Sequence, residues 1–404
     1  MERNYPVFTV TDKGERALRK GHPWVYSDEL RLAEGSAAPA DGELCDVRSR
    51  KGAYLGTGLY NSRSKIRVRI LSRNANDRYD EGFFARRIAY ALDYRMTVMG
   101  EQDFACCRLI FGEADGLPGV TVDRFGEVLS VQIASLGMEQ RRDMLISLLV
   151  DALAARGVEI RTVCLRGDLA LRAKEGLPLE KGYWRDMTGS GHTEICENGI
   201  RYDVDYYNGQ KTGFFLDQKY NRAAAARLAH GRRVLDCFTH TGSFALNAAK
   251  GGAAAVTAVD VSEDALTVAR ENARRNGLSV DFVCADVFDL LTEMAKSGNP
   301  GYDFIILDPP AFTKSGATAA AAERGYKEIN LKAMKLLPRG GYLATCSCSH
   351  FMPDERFRRM LASAAEDAAV SLRQIEARTQ SPDHPILWNV PETDYLKFYL
   401  FQVV

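Results

Sequence analysis

The chain has 404 residues, of which 46% are hydrophobic and 26% are charged, a composition that is ordinary for a soluble globular protein of two or three domains. Its formal net charge is zero, but residues 1–73 contain 14 Lys and Arg against 9 Asp and Glu, whereas the rest contains 39 against 44. The basic N-terminal part indicates an anionic partner, although chance would explain an excess of this size equally well.

The nine cysteines are odd in number and include no Cys-x-x-Cys pair, so we expect free thiols in a reducing compartment. The histidines lack the spacing of metal ligands, and no metal site is expected. The N-terminus lacks the basic and apolar regions of a signal peptide, and no run of 18 apolar residues predicts a membrane span. These features predict a cytoplasmic protein with no membrane partner, and they leave a homodimer possible.

Residues 1–73 are predicted to form a β-rich domain with one early helix. A Thr cap and a closing Gly bound that helix at residues 11–21. Alternating segments predict three half-buried strands, at residues 42–48, 53–60 and 65–71. In the last strand Lys65, Arg67 and Arg69 share one face, which is either merely solvated or able to contact phosphates.

Residues 74–195 are predicted to form a small α+β domain without an evident catalytic motif. The pattern predicts a helix, a hairpin, a second helix and a strand, at residues 79–99, 117–135, 138–156 and 159–166. The polar stretch at residues 182–192 contains Gly and Ser and predicts a linker.

Residues 196–404 alternate apolar strands with helices, which predicts an α/β domain with a doubly wound, Rossmann-like parallel sheet. Strands are expected at residues 233–238, 255–260, 280–285, 304–308 and 341–346, with helices at 262–276 and 326–337 among them. Ligands of such sheets bind beyond the carboxyl ends of the strands. Four acids fall at or near those ends: Asp236, Asp260, Asp286 and Asp308.

A loop at residues 208–222 precedes the first of these strands, and Asp217 is expected to begin a helix there. Phe214 and Phe215 belong either to the core or to a lid over an adenine ring. Phe215 and Gln218 are taken as candidate cofactor contacts.

The first strand is followed by a Gly-containing turn within Val234-Leu-Asp-Cys-Phe-Thr-His-Thr-Gly-Ser-Phe244, where Phe238, Thr241 and Gly242 are candidate cofactor contacts. Asp260 lies 24 residues after Asp236, about the offset of the acid that accepts both ribose hydroxyls in nucleoside-binding units. A Gly-x-Gly-x-x-Gly for a pyrophosphate is missing. The turn therefore predicts a nucleoside ligand without phosphates, and S-adenosylmethionine fits.

Two further acids follow the third and fourth predicted strands. Asp286 could accept from an adenine amino group, cap a helix, or do both. In Asp308-Pro-Pro-Ala-Phe312 the prolines fix a rigid turn, so Asp308 could accept from a planar base edge while Phe312 stacks on it. The alternative is a simple strand-terminating turn.

Thr345-Cys-Ser-Cys-Ser-His350 ends the fifth predicted strand and offers two cysteines. Carbon-5 of cytosine is too weak a nucleophile to attack a methyl sulfonium, but a thiolate that adds to carbon-6 creates an enamine that can attack. A thiolate needs electropositive neighbours, and His350 is close in sequence. On spacing alone, a buried structural cysteine explains the segment equally well.

Nearly the whole chain resembles one family, the RlmI-type ribosomal RNA large-subunit methyltransferases, which depend on S-adenosylmethionine and carry an N-terminal PUA domain. The segments that carry the resemblance are residues 13–26, 111–125, 210–218, 308–312, 382–385 and 391–397. The PUA opening and Gln210-Lys-Thr-Gly213 are specific, whereas the cofactor turn is shared by many methyltransferases.

The resemblance implies methylation of cytosine carbon-5 in large-subunit rRNA. It implies that Cys348, rather than Cys346, is the nucleophile and that Asp308 holds the protonated N3 of the base. The chain departs from the wider class of RNA cytosine methyltransferases at Ala311, where that class often has a second Cys, so the base that removes the C5 proton has no candidate. His240 stands where many methyltransferases have Gly, and no role follows for it from the sequence.

Two alternatives stay open at this point. Related enzymes of similar sequence methylate purines and need no cysteine. A protein of another class, an RNA-binding assembly factor with a vestigial cofactor fold, is disfavoured by the intact set of four acids.

Overall fold

Three extended sheets and one hairpin organise the computed structural model, which describes residues 4–297, 301–313 and 318–404. Residues 1–3, which entered the expectation about a signal peptide, lie outside the described part. The chain folds into two compact units. The first unit contains the chain up to Ile195 with Val204–Leu216 and Pro382–Thr393, and the second contains Cys196–Asp203, Asp217–Ser381 and Asp394–Val404.

The first unit opens with a six-stranded sheet in the order β2-β6-β5-β4-β1-β3. Its strands are β1 (Val7–Val10), β2 (Trp24–Tyr26), β3 (Leu30–Leu32), β4 (Leu44–Arg48), β5 (Tyr54–Tyr60) and β6 (Ile66–Ser72). Helix α1 (Asp12–Arg19) begins where the Thr11 hydroxyl accepts a hydrogen bond from the Gly14 backbone N–H at 3.3 Å, so the predicted cap is confirmed. Buried aliphatic side chains such as Val25, Val47 and Val68 form the core of this sheet.

The expectation that Arg69 shares a solvated or phosphate-binding face with Lys65 and Arg67 is wrong. Only 6% of Arg69 is exposed, and its guanidinium pairs with Glu113 at 3.1 Å and with Glu175 at 3.0 Å. Both carboxylates come from residues distant in sequence, and they satisfy a charge that local alternation places in solvent. Arg69 therefore holds the first unit together and is not available to an external phosphate.

The second sheet of this unit has five strands in the order β11-β10-β9-β8-β7. Its elements are α2 (Glu81–Val98), α3 (Glu101–Phe104), β7 (Cys106–Phe111), β8 (Val120–Phe125), β9 (Val128–Ile133), α4 (Leu136–Glu139), α5 (Arg142–Ala154), β10 (Thr162–Gly167), α6 (Ala170–Lys174) and β11 (Glu180–Asp186). The helix predicted at residues 138–156 is thus two helices. The linker predicted at 182–192 is wrong for its first half, because β11 pairs antiparallel with β10.

A hairpin of β12 (His192–Glu197) and β13 (Ile200–Asp205) follows. The later elements are α7 (Lys219–Ala226), β14 (Arg233–Cys237), α8 (Ser243–Lys250), β15 (Ala255–Asp260), α9 (Glu263–Asn276), β16 (Asp281–Cys284), α10 (Val287–Ser297), β17 (Phe304–Leu307), α11 (Ala319–Leu336), β18 (Tyr342–Ser347), α12 (Asp354–Asp367), β19 (Leu372–Arg378) and β20 (Lys397–Val403). The five predicted strands are found within one or two residues of their expected bounds. Asp217 lies in a 3-10 turn that leads into α7.

The seven-stranded sheet of the second unit has the order β16-β15-β14-β17-β18-β20-β19. The first five strands are parallel, and β20 is antiparallel to both of its neighbours. Along β17, Ile305 faces one core cluster and Ile306 the other, so helices cover both faces and the predicted doubly wound fold is confirmed. The strand order reverses between β14 and β17, and such a switch point is where ligands of these sheets bind.

None of the helices in the described part of the chain combines the length and the hydropathy that a membrane span requires.

Candidate functional site

The carboxyl edge of the seven-stranded sheet collects polar side chains from six neighbouring strands. The contributing residues, in sheet order, are Asp286 after β16, Asp260 at the end of β15, Asp236 in β14, Asp308 after β17, Cys348 after β18 and Lys397 at the start of β20. Lys397 reaches this edge because β20 runs antiparallel, with its first residue paired to Ser347. Only the lysine was absent from the residues that the sequence analysis singled out.

The turn after β14 has an unusual backbone. Phe238, His240 and Gly242 have φ angles of +65°, +51° and +84°, which place all three in the left-handed region. A non-glycine residue is uncommon there, and its strain is tolerated where the surrounding structure fixes it, often at a ligand site. The backbone N–H of His240 donates a hydrogen bond to Asp260 Oδ2 at 2.8 Å. The main chain of His240, in a conformation that Gly adopts more easily, positions the neighbouring acid.

Asp236 is completely buried in the central strand. Its Oδ2 accepts from the Thr239 hydroxyl at 2.6 Å and from the Ala245 N–H at 2.9 Å, while its Oδ1 has no hydrogen-bond partner among the described residues. Burial raises its pKa to about 7, against the opposing hydrogen bond from Thr239. A buried acceptor without a partner at a switch point fits a cationic ligand, since a positive charge would both satisfy Oδ1 and favour its ionised form.

Asp260 and Asp286 are held by backbone donors. Asp260 Oδ1 accepts from the Ser262 N–H at 3.0 Å and its Oδ2 from His240, which leaves lone pairs on both oxygens for two hydroxyls. Exposed Asp286 accepts from the N–H groups of Phe288 at 2.8 Å and Asp289 at 3.2 Å, so the expectation that it caps a helix is confirmed.

Asp308 lies beside Gln218, whose Nε2 donates to Asp308 Oδ1 at 3.0 Å. Removal from water raises the pKa of Asp308 to about 6, and the charge of Asp217 adds to this, while Arg222 and hydrogen bonds from Cys346 and Gln218 oppose it. A carboxyl group whose pKa lies this close to neutrality can share a proton with a weakly basic ring nitrogen. The acid is thus suited to the base-edge contact that its turn predicted.

The two cysteines of the 345–350 segment have different environments. Cys346 is completely buried, and burial raises the pKa of its thiol well above the ordinary value, so it stays protonated. Cys348 is partly exposed. Of the two, only Cys348 has the access that a nucleophile needs.

Lys397 supplies a buried positive charge next to the Cys348 segment. Only 5% of it is exposed, and its Nζ donates to the carbonyl oxygens of Ser349 at 2.7 Å and Tyr395 at 2.8 Å. Burial lowers its pKa to about 8, against the opposing influence of Cys348, Asp394 and Asp354. In the sequence Lys397 is marked only as the single charged residue of the segment Lys397–Val403, whose other residues are apolar except for Gln402.

The aromatic candidate residues lie in different parts of the structure. Phe312 packs in an aromatic group with Tyr326 and Phe238, at centroid distances of 4.6 and 6.3 Å. Phe215 belongs to the first unit, where the Lys211 ammonium lies 4.3 Å from its ring centroid. Its contact with a cofactor stays a prediction, and Phe214 is buried.

Comparisons with known proteins agree with this geometry. A family profile described as S-adenosylmethionine-dependent methyltransferase matches residues 177–402, and a PUA-like domain profile matches residues 8–73. The chain is therefore an S-adenosylmethionine-dependent methyltransferase with a PUA-like N-terminal domain.

The ribosomal RNA large subunit methyltransferase I of Shewanella amazonensis is 42% identical over 386 residues, which are 95% of this chain and 96% of that protein. The protein of the same name from Klebsiella pneumoniae is 38% identical over 403 residues, 99% of each chain. The chain belongs to the ribosomal RNA large subunit methyltransferase I family, and the resemblance found in the sequence is confirmed.

Solved structures show the same fold at low identity. A candidate S-adenosylmethionine-dependent methyltransferase from Streptococcus mutans superimposes with a TM-score of 0.81 at 21% identity, over 98% of this chain and all of that one. A second structure, solved with S-adenosylhomocysteine, gives a TM-score of 0.82 at 20% identity, over 98% of this chain and 100% of that one.

Proposed function

We propose that this protein methylates carbon-5 of a cytosine in large-subunit ribosomal RNA, with Cys348 as the nucleophile. The observation that carries the proposal is the placement of a partly exposed thiol, a buried cation and a carboxyl of raised pKa on adjacent strand ends, at Cys348, Lys397 and Asp308. The relatives named as ribosomal RNA large subunit methyltransferase I supply the class of substrate.

The cofactor would be held by the other half of the edge. Asp260 would accept the ribose hydroxyls, and Asp286 the adenine amino group. Asp236, Phe238, Thr241 and Gly242 would surround the methionine part, and Gln218 and Asp308 would complete this half of the edge. Phe215, which belongs to the first unit, is kept as a candidate cofactor contact. S-adenosylmethionine, when bound, supplies a methyl group made electrophilic by the sulfonium. The unpartnered Oδ1 of Asp236 supports this arrangement, since it suits a cationic ligand.

The chemistry on the base would proceed in balanced steps. The Cys348 thiolate forms a bond to carbon-6, and the electron pair of the C5–C6 double bond makes carbon-5 nucleophilic while Asp308 shares a proton with N3. Carbon-5 takes the methyl group as the methyl–sulfonium bond breaks. Water then takes the proton from carbon-5, and the electrons of that C–H bond restore the double bond as the S–C6 bond breaks and returns the thiolate to Cys348. The target base must leave its stack to reach this edge.

The product identifies the reaction. Purified protein incubated with protein-free large-subunit rRNA and labelled S-adenosylmethionine is expected to yield 5-methylcytidine on nuclease digestion and mass spectrometry, at one site mapped by bisulfite sequencing. A methylated purine as the product would instead establish the alternative reaction, which requires no cysteine.

Lys397 is proposed to favour the thiolate form of Cys348. In Lys397→Met the positive neighbour is lost, so the thiolate form of Cys348 loses electrostatic stabilisation and should form only at higher pH. Alkylation of Cys348 by iodoacetamide, followed by mass spectrometry of its peptide across pH 6–10, should show the curve displaced to higher pH. Exposed Cys196, in the same unit, serves as the internal control and should be unaffected. An unchanged curve for Cys348 would remove Lys397 from this role.

We further propose three domains: residues 1–73 for RNA binding, 74–195 as a central α+β domain, and 196–404 for methyl transfer. The PUA-like match and the exposed side chain of Lys65 support contact of the first with RNA by shape and phosphates. We propose a cytoplasmic location, which the proposed rRNA substrate supports. A homodimer is a further proposal, and light scattering that gives the mass of one chain would reject it.

A further inference from the structure

Two helices of the second unit enclose a basic groove outside the site described above. The groove has a volume of about 520 Å³ and lies between α11 and α12. Its lining comes from one face of each helix, at positions three and four residues apart, and consists of Ala320, Glu323, Arg324, Lys327, Arg356, Arg359, Met360 and Ser363. Four of these side chains are cationic and one is a carboxylate, so the groove is electropositive.

Half of the positive charge is unneutralised. Arg356 pairs with Glu323 at 2.6 Å, and Lys327 pairs with Asp367 at 2.7 Å. The side chains of Arg324 and Arg359 are exposed and form no hydrogen bond or ion pair with any residue that the structure describes. Two guanidinium groups that face one groove without a carboxylate partner suit phosphate, whose oxygens match the planar fork of donors.

The position of the groove relates it to the reacting edge of the sheet. Helix α11 follows the Asp308 turn, and α12 follows the Cys348 segment, so both helices start at the edge that carries those two residues. Arg324 and Arg359 are each five residues into their helices, which is about 8 Å along the axis at 1.5 Å per residue. The unpaired cations therefore lie within two helical turns of the ends of the helices that begin at the edge where the target base is proposed to react.

We propose that this groove binds backbone phosphates of the rRNA strand next to the target cytosine. The inference rests on the proposed RNA substrate and adds a contact surface in the second unit itself. The contacts would position the strand without reading its sequence, because phosphates carry no base identity. The groove would thus lower the KM for RNA while leaving the chemical step unchanged.

The test is the double variant R324Q/R359Q in the full-length protein, with protein-free large-subunit rRNA. We expect the KM for RNA to rise about tenfold with kcat within about twofold, and the slope of log Kd against log salt to fall by about 2, one for each phosphate contact. The matched control is R339Q/R373Q. It removes two exposed arginines at the opposite edge of the same sheet. Arg339 lies shortly before β18 and donates a hydrogen bond to the carbonyl oxygen of Ala369, whereas Arg373 is the second residue of β19 and donates to the side-chain oxygen of Gln402.

Equal weakening in the control variant would mean a general charge effect and would overturn the proposal, as would an unchanged KM and salt slope in R324Q/R359Q. Circular dichroism and S-adenosylmethionine binding show whether the variants are folded. If the double variant is unstable, the single variants R324Q and R359Q replace it, and each should lower the slope of log Kd against log salt by about half as much. Binding to RNA can be measured without turnover. A result against RNA binding by the groove can therefore be told apart from a result against cytosine methylation. The latter would be the absence of 5-methylcytidine from the reaction of the wild-type protein.

Discussion

Replacement of Cys348 by Ala is expected to abolish methylation of rRNA, with a fall in kcat of roughly 10³-fold or more, as nucleophile removal does in other covalent enzymes. Without the thiolate no enamine forms, and carbon-5 of cytosine cannot attack the methyl sulfonium. S-adenosylmethionine binding should stay near the wild-type value, since the four acids of the cofactor side are untouched. Single-turnover methylation with labelled cofactor and calorimetry of cofactor binding measure the two quantities.

The matched control for this variant is Cys346→Ser. Cys346 lies two residues away in the same strand end, is completely buried and has a pKa raised well above the ordinary value by burial. A serine hydroxyl can still donate to Asp308, so activity should remain within about tenfold of wild type. RNA that contains 5-fluorocytosine should trap the wild-type protein covalently, because the fluorine cannot leave as a proton does, and should not trap Cys348→Ala. Near-wild-type methylation by Cys348→Ala would rule out the nucleophile mechanism.

The half of the site that comes from parallel strands could be predicted from the sequence. Carboxyl ends of parallel strands meet at one edge, so Asp236, Asp260, Asp286 and Asp308 could be placed together from strand periodicity alone. Lys397 could not, because it lies 49 residues after Cys348 and reaches the same edge only through the reversed direction of β20. A strand's direction within a sheet is a tertiary property that its own residues do not encode.

The other differences have the same origin in long-range contacts. Arg69 alternates with Lys65 and Arg67 like a solvent-facing residue, yet Glu113 and Glu175 from the neighbouring part of the first unit bury it. His240 stands where many methyltransferases have Gly, and its backbone N–H binds Asp260, a contact that its residue type does not reveal. Local patterns therefore located the elements and the acids, whereas charge burial and backbone donors required the fold.

Replacement of Asp308 by Asn is expected to lower kcat by about 10²- to 10⁴-fold, the usual contribution of a positioned acid or base. The amide can still form a hydrogen bond at the base edge, but it cannot share a proton with N3 as negative charge develops in the ring. At saturating S-adenosylmethionine, the wild-type kcat/KM for RNA should be bell-shaped in pH, with one apparent pKa near the value of about 6 for Asp308. In Asp308→Asn, the pH dependence of kcat/KM near pH 6 should disappear, and only the limb of the profile that we attribute to Cys348 should remain.

The thermal stability of Asp308→Asn provides the control for this variant. Whether the substitution should raise or lower stability follows from the direction in which folding shifts the pKa of Asp308. The pKa of Asp308 rises from 3.8 to about 6 in the folded protein, so the folded state binds this proton more tightly than the unfolded state does. The contribution of the protonated form to stability is fully present below about pH 4 and is lost as the pH rises through about 6, where the half-buried carboxyl becomes charged. Asp308→Asn should therefore melt no lower than wild type at pH 8, measured without cofactor. Lost activity in a protein that is at least as stable as wild type would assign the defect to proton sharing, whereas a much lower melting temperature, or an unchanged bell-shaped profile, would contradict it.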